Sequence, residues 1–153
     1  MNLRRGWRNV KTVLRALPSA RARNLVAEAW RLERNLPAWF ESRPLPQLMQ
    51  LLDREACAGV LHVSASAILR YADAVSMLDY RSPLGVCLRR SLVRYVLLRR
   101  AGVPVVVHFG AKKLAAGQSG IAGHAWLTLD GQPFAENPQD YEGFAAIYRY
   151  PQS

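Results

Sequence analysis

The stretch Ser82-Pro83-Leu84-Gly85-Val86-Cys87-Leu88-Arg89-Arg90-Ser91-Leu92-Val93-Arg94-Tyr95-Val96-Leu97-Leu98-Arg99-Arg100 decides how the rest of the chain is read. Ser82-Pro83 has the form of a helix cap followed by proline at the first helical position. From about Gly85 to Arg100 nothing breaks a helix, and Gly102 and Pro104 follow its end. Its apolar residues lie on most sides rather than along one stripe. Such a helix needs neighbours all round, so it is expected at the centre of the molecule.

Everything before this helix reads as helical. Leu3, Trp7, Val10, Leu14 and Leu17 follow one another at steps of three or four among basic residues, and Pro18 ends the pattern. Ser19 can cap a second helix carrying Leu25, Val26, Ala29, Trp30, Leu32 and Leu36, with Pro37 expected to stop it. Pro37–Pro46 is read as a turn with Trp39 and Phe40. A short helix over about Pro46–Asp53 follows, then another from Ser64 or Ser66 to Asp79.

After the central helix the period changes. Val103–Phe109 is β-branched and continuous, the pattern of a buried strand. Lys112–Ala122 reads as a loop. His124–Leu129 and Gln132–Glu136 flank Asp130-Gly131, a strong hairpin signal, and Phe144–Tyr150 gives a last strand. Helices, one central helix, then a strand meander make an α+β protein. A single domain over residues 1–153 is expected, with a helical part over 1–80 and a core over 81–153.

The 153 residues include 21 basic and 11 acidic ones, a formal charge of +10, and half are hydrophobic. That is ample for a core and excludes disordered and low-complexity classes. The charge implies contact with something acidic without selecting it. Seven basic residues precede the first acid, Glu28, but no RNA motif or aromatic–basic repeat accompanies them. A solvated helix face is the reading, and no nucleic acid is expected. Residues 117–123 are glycine-rich but lack the lysine and helix start of a phosphate loop. No apolar run reaches the roughly 20 residues that span a bilayer, and none resembles a signal peptide. A cytoplasmic protein with two free thiols, Cys57 and Cys87, is expected. Cys57, between Ala56 and Ala58, reads as structural.

Three residues carry chemical promise. Cys87 falls in the first turn of the central helix, where free N–H groups and the helix dipole favour a thiolate. His124 opens a strand and could exchange a proton with a thiol and a leaving amine. Glu136 lies near the end of the partner strand, where a bulge or diagonal contact would set it beside the imidazole. Each has an ordinary alternative alone: a small core residue, a strand-end histidine bonded to backbone, a solvated acid. Together they have the order of a nucleophile, a base and an orienting group. His108 alternates with Val105, Val107 and Phe109 and points away from their face. A metal set of Cys87, His108 and His124 lacks ligand spacing and a fourth group, so no metal or cofactor is expected.

A helix-start cysteine, a strand histidine and an acid on the next strand occur in this order in papain-like and transglutaminase-like cores. Cys87-Leu88-Arg89-Arg90-Ser91-Leu92, the Arg99-Arg100-Ala101-Gly102-Val103-Pro104 turn and Gly123-His124-Ala125-Trp126 before Asp130-Gly131 resemble the lasso peptide biosynthesis B2 family. The resemblance covers roughly residues 82–150. It implies a transglutaminase-like fold and a cytoplasmic cysteine protease that removes the leader from a ribosomally made precursor peptide. It further implies two partners, a small leader-recognition protein of the B1 type and an ATP-dependent lasso cyclase. By the same resemblance Cys87 is the nucleophile and His124 the base. The family's third member is usually Asp; Glu136 stands there, with Asn137 beside it as a possible amide orienter and the turn residue Asp130 ranked last. Two alternatives remain: another acyl transferase or amidase of the same core, or a non-enzymatic basic helical binding module.

Overall fold

The protein is described by a computed structural model covering residues 3–114 and 120–152. Its elements, in chain order, are α1 (Leu3–Leu14), α2 (Ala20–Glu41), α3 (Leu45–Cys57), α4 (Ala65–Leu78), α5 (Val86–Arg100), β1 (Val106–Lys113), β2 (Ile121–Leu129), β3 (Gln132–Pro133), α6 (Pro138–Tyr141) and β4 (Ala145–Tyr150). Six helices and an antiparallel four-stranded sheet among the described residues make the expected α+β architecture.

Two helices start where their caps dictate. The hydroxyl of Ser19 accepts from the amide of Ala22 before α2, and that of Ser64 accepts from Ala67 before α4. Pro37 does not stop α2, which runs on to Glu41. An interior proline costs about 3 kcal/mol. Leu25, Ala29, Leu32 and Leu36 are buried and Trp39 packs on the core, so tertiary contact outweighs the lost hydrogen bond. The expected turn therefore shrinks to the residues between Glu41 and Leu45, and α3 is longer than its periodicity implied.

The central helix is where it was expected. Along α5, Leu92, Val93, Tyr95, Val96, Leu97 and Leu98 are fully buried, and the helix touches α2, α3, α4, β1 and β2. Its cap is Gly85, not Ser82; the Ser82 hydroxyl accepts from the Leu84 amide instead. One continuous apolar cluster joins residues of the helical part, such as Leu48 and Ile68, to Val107 and Leu127 of the sheet.

The sheet order is β3-β2-β1-β4, so β4 lies beside β1 and the strands do not form a simple meander. Asp130 and Gly131 both have positive φ, 51° and 76°, and pair Leu129 with Gln132 as the hairpin signal demanded. β3 stops after two residues: one further bond, from the Phe134 amide to the Leu127 carbonyl, follows before Ala135 leaves the strand path with φ 54°. Between β1 and β4 the register shifts: Phe109 faces Tyr148 and Gly110 faces Ala146, which leaves Ile147 as an extra, unpaired residue. Lys112 and Lys113 belong to β1, and Ile121 and Ala122 to β2, so the expected loop is shorter. Residues 115–119 of it lie outside the described residues.

Candidate active site

Cys87 is the second residue of α5, half-buried, and its side chain opens onto a cavity of about 340 Å³. His124, on β2, lines the same cavity. What sets α5 against β2 is Ser91, one turn beyond Cys87. Its buried hydroxyl donates to the carbonyl of Ala125 at 2.8 Å, immediately after His124. The start of α5 is anchored from the other side by Arg89. Its Nη1 donates to the buried Glu33 of α2 at 2.7 Å and its Nε to the Leu84 carbonyl at 3.0 Å. Glu33 also accepts from the Ser76 hydroxyl of α4. The segment that leads into Cys87 is thus tied to two helices by groups that are almost wholly out of water.

Three glycines leave room around the pair. A Cβ on Gly85 would stand 3.9 Å from the Cys87 sulfur, and one on Gly123 would meet open space. On β1, directly opposite His124, Gly110 lies under the Trp126 ring, where a Cβ would come within 2.6 Å of the indole.

The imidazole of His124 sits in an aromatic layer, 5.2 Å from the ring of Phe144 and 6.1 Å from that of Trp126. Its Nε2 is buried and has no hydrogen-bond partner among the described residues. Burial first, then the positive charges of Arg90 and Lys112, hold its pKa below the ordinary histidine value of 6.5, against the pull of Asp140. Such a ring is neutral at neutral pH and free to accept a proton. No hydrogen bond joins Cys87 to His124 in this resting arrangement, which is common before substrate closes a site.

Glu136 is brought elsewhere. Beyond Pro133 the Phe134 amide still donates to the Leu127 carbonyl, and Ala135 then turns the chain with φ 54°. The carboxylate lands at Leu127, three residues along β2 from His124, and accepts its amide at 3.3 Å. Arg94 donates to the same oxygen at 3.3 Å and Arg90 to the other at 3.4 Å. Arg94 also makes a two-pronged contact with Asp73 at 2.6 and 2.7 Å. Two arginines and two carboxylates balance in charge. Burial pushes the Glu136 pKa up, and Arg94, Arg90 and the Leu127 amide pull it back only in part. The expected contact between Glu136 and the imidazole is therefore absent here, since the carboxylate lies at Leu127 among Arg90 and Arg94. Asn137 does not replace it: its side chain accepts from the Gln139 amide and caps α6.

The remaining residues fall as follows. His108 stacks on Trp126 and its Nε2 lies 2.9 Å from the Thr128 hydroxyl, on the sheet face away from Val107 and Phe109. Among the described residues no three His, Cys, Asp or Glu side chains are grouped to hold a metal ion. Cys57 is exposed at the end of α3. Sequence reading missed Phe40 and Ile147, which both line the cavity. A proline taken as a helix stop hid the first, and a bulge that breaks strand alternation hid the second.

A family model described as the transglutaminase-like superfamily matches residues 4–149. The chain belongs to the transglutaminase-like superfamily. The match extends to the helices of the first 80 residues, which sequence motifs alone had left outside. This superfamily includes cysteine proteases and acyltransferases. No curated protein and no solved structure matches the chain. Among the described residues, no helix of this transglutaminase-like chain is long and apolar enough to cross a membrane.

Proposed function

We propose that this transglutaminase-like protein is a cytoplasmic cysteine peptidase that removes the leader from a ribosomally made lasso precursor. The observation that carries the reading is that Cys87, at the start of the central helix, and His124, with an unpartnered buried nitrogen, line one cavity. The motif resemblance around both residues supplies the substrate class, and with it a B1-type recognition protein and an ATP-dependent cyclase as partners.

In this reading the Cys87 sulfur attacks the scissile carbonyl while His124 takes the thiol proton. Free N–H groups of the first turn of α5 face the developing oxyanion. The C–N bond breaks as the proton passes from His124 to the leaving amine, and a thioester remains on Cys87. Water, deprotonated by His124, hydrolyses the thioester and restores the thiol. Glu136 acts through Arg90 and Arg94 and the position of β2 rather than on the ring.

The test is cleavage of a precursor peptide supplied with its recognition protein, followed by mass spectrometry. Wild type and Cys57→Ala release leader and core. Cys87→Ala releases neither. Equal cleavage by wild type and Cys87→Ala overturns the proposal. Products that carry an added amine in place of a free carboxylate identify an acyl transferase instead.

A further inference from the structure

We propose that the cavity beside Cys87 is a specificity pocket for a large apolar side chain, carried by one of the last two residues of the acyl donor. The inference rests on the reading of Cys87 as the nucleophile. The chain carries 21 basic and 11 acidic residues, yet among the described residues no Lys, Arg, Asp or Glu side chain lines this cavity. Its walls are Phe40, Leu45, Leu88, Phe109 and Ile147. Leu45, Leu88 and Phe109 also pack on the central core, so the floor is apolar and held by core contacts. A charge placed there would lose its water without gaining a partner. An apolar side chain gains by leaving water, and a cavity of about 340 Å³ is within the range that holds a ligand group.

Two walls are built for contact with a visitor rather than with the core. Ile147 is the bulged residue of β4, unpaired on β1, lining the cavity while remaining 71 % exposed. Bulges next to active sites re-aim side chains in this way. Phe40 reaches the cavity from the last turn of α2 and is 37 % exposed. Gly85 and Gly123 keep the approach to Cys87 and His124 open. An acyl-donor peptide lying across these glycines sets its carbonyl at the sulfur and a side chain between Phe40 and Ile147.

The test uses acetyl-dipeptidyl chloromethyl ketones on the full-length protein, with Ala, Leu, Phe, Asp or Lys at either residue and Ala at the other. Intact mass and peptide mapping follow alkylation of Cys87. The sulfur displaces chloride and forms a thioether, so the reading needs no precursor. Leu and Phe at one of the two positions react about tenfold to a hundredfold faster than Asp or Lys there. Ile147→Glu lowers the Leu and Phe rates and raises the Lys rate. A flat series, or one led by Asp or Lys at both positions, overturns the pocket. Iodoacetamide, which has no side chain to bind, reports separately on the nucleophile. If its reaction with Cys87 is no slower in His124→Ala, the catalytic reading fails while the chloromethyl ketone series still decides the pocket.

Discussion

The flank of α5 that faces α2 and α4 and the end of α5 that carries Cys87 follow opposite rules. On the flank, buried charge is matched: Arg89 with Glu33, and Arg94 with Asp73 and Glu136. At the Cys87 end, polar atoms are left unmatched. Among the described residues the buried His124 Nε2 has no partner, beside a cavity that none of their charged side chains lines, while Arg90, whose Nε also lacks an acceptor, stays ion-paired to Glu136 away from the cavity lining. Matched groups hold a helix in one place; breaking one such pair is expensive, but the pair itself does no chemistry. Unmatched groups cost stability and gain it back only when a substrate supplies the partner. In the proposed reading, the division separates the residues that position the reaction from those that perform it.

The largest effect that sharpens this contrast is at Cys87. Cys87→Ala lowers peptide cleavage on the order of 10⁶-fold, as loss of a nucleophile does. It leaves the denaturation midpoint close to wild type, because a small side chain leaves little cavity. A large loss of stability in this variant would place Cys87 with the matched scaffold instead. On the flank the balance reverses. Arg89→Met leaves Glu33 buried without its cation and destabilises by about 3–5 kcal/mol, read by urea unfolding. Stability unchanged by Arg89→Met would remove the scaffold side of the comparison.

Glu136 is the residue on which the two regions meet. Its place among Arg90, Arg94 and the Leu127 amide predicts that Glu136→Gln lowers stability, by about 1–3 kcal/mol, and leaves the acid limb of the pH–rate profile in place. If Glu136 orients the imidazole during turnover, Glu136→Gln shifts that limb, and Glu136→Asp restores it. The smallest effect is one of pH. His124 must be neutral to act as base, and its pKa lies below 6.5. So kcat/KM falls only as pH drops through a value under 6.5, and Arg90→Gln, by removing a positive charge near the ring, moves that midpoint upward. A wild-type midpoint at or above 6.5 contradicts the buried, positively flanked imidazole.

How legible these regions were follows from the same physics. α5 was readable because a helix with apolar residues on all sides has one place to go, and the Asp130-Gly131 hairpin because only a turn with two positive φ values fits it. The place of Cys87 in the first turn of α5 followed from local pattern, whereas His124, expected to open a strand, is the fourth residue of β2, which begins at Ile121. Their shared cavity depends on Ser91 bonding Ala125, a long-range contact with no local signature. The path of Glu136 was not readable. Extending the hairpin pairing from Leu129 and Gln132 sets position 124 opposite 137, but the last ladder bond is made at Phe134 and Ala135 turns away in a left-handed conformation. Packing likewise overrode local preference at Pro37, where burial of Leu36 and contact by Trp39 kept α2 helical.

The central claim is that Cys87 and His124 act as one unit at the uncharged end of α5. Trapping of the acyl-enzyme tests it most directly. Precursor peptide and recognition protein are mixed with the enzyme, quenched in acid within a turnover, and digested for mass spectrometry. The account predicts a thioester of the leader's new C-terminus on Cys87, forming at least about 10²-fold more slowly in His124→Ala. Cleavage that proceeds with no adduct on Cys87, or an adduct on Cys57, would contradict it.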